Sequence, residues 1–204
     1  MTYPLLSAVL LSSIALAQPT EVPSALSQHD RDFAMSHMHA TRKLFLDSVA
    51  GLSAEQWNFK SAPDRWSVAE CAEHIAISED YISGLARNLL KTPLAPEKRK
   101  LVKVTDEQLV ESVIDRSHKF QAPEPIAPAK RWPDPNEAVA HFKTSRDRNI
   151  AYIETTPDEL RAHFMSHPAA GMLDAFQWML LMSGHTERHT LQILEVKADP
   201  NFPK

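Results

Sequence analysis

Apolar side chains recur along most of this chain at intervals of three and four residues, the spacing of one face of an α-helix. The first such stretch runs from about Ser27 to Ala50, with Phe33, Leu44, Phe45 and Val49 among its apolar positions, and Gly51 ends it. A second helix is expected to about Leu90, opened by the capping box that Ser67 and Glu70 form in "SVAE". A short helix follows from Thr105 to about His118, with a box-like start in "TDEQ". Asp134 as N-cap and proline at the first helical position open the next, which runs from Pro135 to about Glu154. The last extends from about Met172 to Lys197, before Pro200 stops it. The stretches between them, "LSAEQWNFKSAPDRW", "KTPLAPEKRK" and "QAPEPIAPAKRWPDP", read as loops, and "TTPDELRAHFMSHPAAG" as a linker with a helical turn or two. No segment alternates with the period of a strand. Four long helices and a short one predict an all-α fold, a four-helix bundle with one short extra helix, occupying residues 27–204.

Composition narrows this picture. Only 4 glycines among 204 residues speak against a turn-dense β fold, while the 15 prolines gather in the connections. A net charge of -4, mixed along the chain, leaves no electrostatic footprint for nucleic acid. Cys71 is the single cysteine, so no intramolecular disulfide can form. The first residues read as a processing signal: an apolar centre from about Pro4 to Ile14, then the small-x-small triplet Ala15-Leu16-Ala17. A cleaved secretory signal at 1–17 is expected, with a linker at 18–26 and a secreted or periplasmic mature protein; an uncleaved anchor is the alternative. No other segment is long and apolar enough to span a membrane.

The chemistry gathers on two helices. On the last one, Trp178, Met182, His185, His189, Gln192 and Val196 step by four and three, so both histidines face the bundle interior. Four residues rise about 6 Å, and imidazoles at i and i+4 can converge on one ion. On the second long helix, His74 lies amid Val68, Cys71 and Ile75 and shares a face with Cys71 and Ser78. A single inward histidine is usually satisfied by a carbonyl or a water. Three from two helices are harder to explain as filling, because each ring needs partners for its nitrogens. Cys71 is a conceivable fourth ligand, although an inert packed thiol is the commoner role. Glu70 has a sufficient role in its capping box. Arg188 fits a surface pair with Glu187 better than an anion site, and His37 and His39 fit a helix edge or solvent better than a metal. No GxSxG, Walker or Rossmann glycine pattern is present.

Two of these stretches together resemble a known family. "APDRWSVAECAEHI" is similar to the signature of the DinB/YfiT-like superfamily, in which a Trp-Ser start opens a histidine-bearing helix. "DAFQWMLLMSGHTERHTLQI" is similar to its last-helix signature, and "GLSAEQWNFKSAP" resembles the loop ahead of its second helix. The resemblance spans Ser27 to Lys197. It implies a four-helix bundle with a divalent ion held by His74, His185 and His189, and a homodimer. It also implies chemistry of the kind ascribed to relatives, either metal-dependent hydrolysis or thiol-dependent S-transfer and isomerisation. Export would separate the chain from cytosolic thiol cofactors, which weakens the transferase reading. The Pro-rich connection from Lys91 to Pro135 is a second departure, and it can reshape a substrate pocket.

The expected function is therefore that of an exported, DinB-like metal-binding protein. It would be a divalent-metal-dependent hydrolase using metal-bound water on a small-molecule substrate, with non-catalytic metal or ligand binding and S-transfer as alternatives. Zinc or nickel leads among the metals, with iron, copper and manganese as alternatives; imidazole suits zinc, nickel, copper and iron alike. No catalytic side chain beyond the three histidines is identifiable.

Overall fold

Side-chain caps set where the helices begin. The computed structural model describes residues 25–204, so the expected signal at 1–17 and residues 18–24 of the linker lie outside the described residues. Helix α1 spans Gln28–Val49, α2 Ala54–Asn58, α3 Val68–Leu89, α4 Asp106–Ile114 and α6 Ala175–Lys197. Each of these five starts with a reciprocal capping box, in which the cap side chain accepts the N3 backbone N–H and the N3 side chain accepts that of the cap. Helix α5, Pro135–Thr155, starts with Asp134 as N-cap and proline at its first turn. Gly51, at φ 68, turns the chain after α1.

Three expectations are corrected. The stretch read as a loop after Gly51 contains α2, a five-residue helix too short to show a period but capped by Ser53 and Gln56. Helix α4 ends at Ile114 rather than near His118. There the Asp115 carboxylate accepts the Ser117 N–H and hydroxyl, both at 2.8 Å, offering the backbone a turn in place of another helical one. The chain also contains a small sheet where none was expected. Strands β1, Phe164–His167, and β2, Gly171–Asp174, form an antiparallel hairpin pairing Phe164 with Asp174 and His167 with Gly171. Gly171 makes the turn at φ 74, and the hairpin takes up residues 172–174, so α6 begins at Ala175.

The four long helices form a ring, with α3 and α1 each packed against both α5 and α6. Helix α4 lies outside the ring along α6, where Gly184 permits the approach: a Cβ there would stand 3.2 Å from Val113 Cγ1. The apolar core falls into two clusters, one with Met38, Ile82, Ile150 and Met182, the other with Phe45, Ile75, Phe142 and Ile193. On each long helix the inward-facing positions between these clusters include buried polar residues: Thr41 on α1, Ser78 and Glu79 on α3, Ser145, Arg146 and Asn149 on α5, and Ser183, Thr186 and Thr190 on α6. Arg146, with no exposed surface, makes a bidentate pair with Glu79 at 2.8 and 2.7 Å. It also donates to the Met38 carbonyl at 3.0 Å, Thr41 Oγ1 at 2.6 Å and Thr186 Oγ1 at 2.8 Å. Five hydrogen bonds to four residues satisfy a charge that would otherwise be costly to bury.

Candidate metal centre

The three histidines meet at the level of this polar layer. His185 and His189 stand one turn apart on α6, and His74 faces them from α3, the helix that packs most extensively on α6. His74 Nε2 lies 3.3 Å from His185 Nε2 and 3.2 Å from His189 Nε2. All three candidate ligand atoms fall within 4.8 Å of one another. His74 is buried, and the two α6 rings are half-buried. Trp66 covers one flank, its ring centred 4.8 Å from that of His74 and 5.8 Å from that of His189.

The outer nitrogens explain why the inner ones converge. His74 Nδ1 is 2.7 Å from the Ile126 carbonyl, and His189 Nδ1 is 3.0 Å from Gln192 Oε1. Each of these oxygens accepts a hydrogen bond, which puts the ring proton on Nδ1 and leaves the lone pair on Nε2. Two lone pairs therefore aim at a common point beside a third nitrogen. Behind Gln192 stands Arg116, which donates to Gln192 Oε1 at 3.4 Å and pairs bidentately with Glu195 at 2.8 Å. Burial holds all three rings neutral at pH 7. It pushes His74 down to about 4, and holds His185 and His189 well below 6.5, with the neighbouring rings adding to the shift.

Neutral imidazole is the ligating form. Ligands about 2.0–2.1 Å from a tetrahedral ion stand about 3.3–3.4 Å apart, close to the 3.2 and 3.3 Å separations here. The donor set fits one divalent ion.

The other side chains weighed from the sequence do different work. Cys71 is fully buried in the apolar cluster beside α5, its thiol pKa raised by burial, and it is outside the ligand cluster. Glu70 caps α3 and pairs with Lys60 at 2.8 Å. Arg188 is neither an anion site nor a partner of Glu187. It donates to the carbonyls of Val113, Asp115 and His118, which ties the segment after α4 to α6. His37 is half-buried, with Nδ1 2.8 Å from Ser183 Oγ and Nε2 3.4 Å from Glu187, and His39 is exposed. Trp66 and Gln192 both lie in the stretches that carry the family resemblance, but a role for them emerges only in three dimensions. Nothing in the pattern marks Ile126 as the acceptor for His74.

Comparison with known proteins identifies the family and the fold. The DinB superfamily profile matches residues 37–193. The uncharacterized protein YuaE of Bacillus subtilis (strain 168) is 26% identical over 163 residues, which is 80% of this chain and 96% of that protein. Among solved structures, YfiT from Bacillus subtilis superposes with a TM-score of 0.58 at 15% identity, over 90% of this chain and 93% of that one. YfiT has been described as a probable metal-dependent hydrolase with an unusual four-helix bundle topology. The superposition establishes a shared fold.

Proposed function

The chain belongs to the DinB superfamily, and from that premise we propose that it is a divalent-metal-dependent hydrolase whose ion is held by His74, His185 and His189. The observation that carries this reading is the convergence of three Nε2 atoms, two of them with the ring proton committed to Nδ1. A bound divalent ion supplies a Lewis acid and brings the pKa of a coordinated water towards 7. The chain's own part is to hold and orient. His185 and His189 present two ligands from one rigid helix, and His74 closes the set from its neighbour. The Ile126 carbonyl and Gln192 keep two rings turned inward, while Trp66 keeps water off one flank. Elemental analysis of the purified protein, with a panel of small esters and amides assayed before and after chelation, tests the proposal. Near-stoichiometric zinc or nickel and chelator-sensitive turnover are expected. A protein that neither carries nor takes up a divalent ion overturns it.

One observation favours a second, non-catalytic reading. The four glutamates within five residues of a ligand are all engaged elsewhere: Glu70 at its cap, Glu73 on the loop after α4, Glu79 with Arg146, and Glu187 beside His37. Among the described residues, no carboxylate stands with the three ligand atoms to move a proton. Under this reading the protein is fully loaded with metal, yet turns over nothing in the same panel. Activity that appears only on addition of a thiol would indicate S-transfer instead.

Export and self-association belong to the same proposal, motivated by the apolar run ahead of Ala15-Leu16-Ala17 and by the family resemblance. A native mass beginning at Gln18 and sedimentation as a homodimer are the expected results. Retention of residues 1–17 counts against export, and a monomer counts against the dimer.

A further inference from the structure

His74 takes its orientation from a stretch with little regular structure. Between α4 and α5, prolines 123, 125, 128 and 133 lack an N–H and interrupt any backbone ladder. A single turn of 3-10 helix, Glu124–Ile126, buries the Ile126 side chain and places its carbonyl on His74 Nδ1. Loops of this composition do not hold one oxygen in one place unaided, because their backbone makes few bonds within itself.

The restraint comes from the residue beside His74. Glu73 is 6% exposed, and its carboxylate accepts three backbone N–H groups of this loop: Ala129 at 3.0 Å, Lys130 at 3.0 Å and Arg131 at 2.9 Å. Lys130 sits at φ 58, in the left-handed region, the conformation that lets successive N–H groups converge on one anion. The Arg131 guanidinium reaches back along the loop to the carbonyls of Ala127 at 3.0 Å and Pro125 at 3.1 Å. Two consecutive residues of α3 thus grip one loop. Glu73 binds its later part, Arg131 laces that part to the 3-10 turn, and the turn meets His74.

We propose that Glu73 is a positioning residue for His74: by anchoring residues 129–131 it keeps the Ile126 carbonyl on Nδ1, and so keeps the Nε2 lone pair directed at His185 and His189. The consequence for metal rests on the three-histidine reading above; the consequence for the ring does not. Without that acceptor the ring is free to rotate and to place its proton on Nε2, where it blocks ligation. Loss of an outer partner of a ligating histidine typically weakens metal binding about 10–100-fold.

The test compares the whole protein with Glu73→Ala and with Arg131→Ala, an exposed change that leaves α3 intact. Ser67→Ala is the control, since it weakens the same helix without touching the loop. Long-range 1H–15N spectra of the metal-free proteins report the His74 tautomer, and competition titration with zinc reports Kd. Wild type should show His74 protonated on Nδ1. Glu73→Ala should mix in the Nε2–H form and raise the zinc Kd about 10–100-fold, and Arg131→Ala should move both in the same direction by less. The control should move neither. Glu73→Ala with an unchanged tautomer and Kd overturns the proposal. Should that variant not fold, an unmoved Arg131→Ala does the same. Should wild type take up no zinc while the tautomer still follows Glu73, the metal reading falls and the positioning role stands.

Discussion

A histidine at position 189 is expected to separate metal binding from simple packing. Its ring is half-buried and its Nδ1 already has a partner in Gln192, so replacement by alanine removes one ligand and little apolar surface. Two imidazoles seldom retain an ion against buffer, and His189→Ala should lose stoichiometric metal. Its thermal midpoint should fall relative to metal-loaded wild type and match metal-free wild type far more closely, because an ion bound only by the native state stabilises it by mass action. Full occupancy in the variant would exclude His189 from the ligand set. Glu79 offers a contrasting case, since its alanine variant leaves the Arg146 guanidinium without its carboxylate in a fully buried site. Breaking such a pair costs about 3–5 kcal/mol, which urea unfolding would detect. A loss below about 1 kcal/mol would show that water or another group replaces the carboxylate.

Among the elements, α3 carries the greatest share of the chemistry, with Glu73 and His74 in its first half and Glu79 near its middle. It starts at Ser67, a buried cap whose hydroxyl accepts the Glu70 N–H at 3.2 Å while the Glu70 carboxylate accepts the Ser67 N–H at 2.7 Å. Ser67→Ala should cost about 1 kcal/mol by losing half of the box, with metal content unchanged because the cap lies two turns from His74. Denaturant unfolding of the variant, alongside metal analysis, checks both statements. This cap was legible from four letters, "SVAE", because its partners are three residues apart. The end of α4 and the hairpin ahead of α6 were not. Asp115 can end a helix or continue one, depending on whether its side chain captures Ser117. Strands of four residues are too short to display a period against the helix that follows.

For the molecule as a whole, the placement of titratable groups at the polar mid-layer predicts loss of stability in mild acid. Burial pushes His37 down from 6.5 to about 4, and the nearby Arg146 guanidinium adds to the shift. The folded state refuses a proton that the unfolded chain accepts below about 6.5. The resulting stabilisation is complete above pH 6.5 and is lost as pH falls towards 4. His74 shifts in the same direction for the same reason. Glu187, which faces His37, is raised by burial and contributes oppositely, its share being lost as pH rises through its folded pKa. The thermal midpoint of the metal-free protein should therefore decline between pH 6.5 and 4, and less steeply in His37→Gln. A flat profile, or one equally steep in the variant, would contradict this assignment.

Short-range physics determined what the sequence alone could supply: the helical periods, the caps at Ser67, Thr105 and Asp134, and the shared face of His185 and His189. Each depends on residues within a turn or two of one another, where backbone geometry leaves few choices. The inward face of the second long helix offered His74 as a third histidine, and the family resemblance implied that the three form one ligand set. The tertiary structure alone decided which charges are interior. Arg146 and Arg148 differ by two letters along one helix, yet one is fully buried against Glu79 and the other pairs with Asp80 near solvent. It also decided that a proline-rich connection supplies the acceptor for His74 from 52 residues away, under restraint from Glu73. Contacts of that range are set by how the helices pack against one another, and no local spacing encodes them.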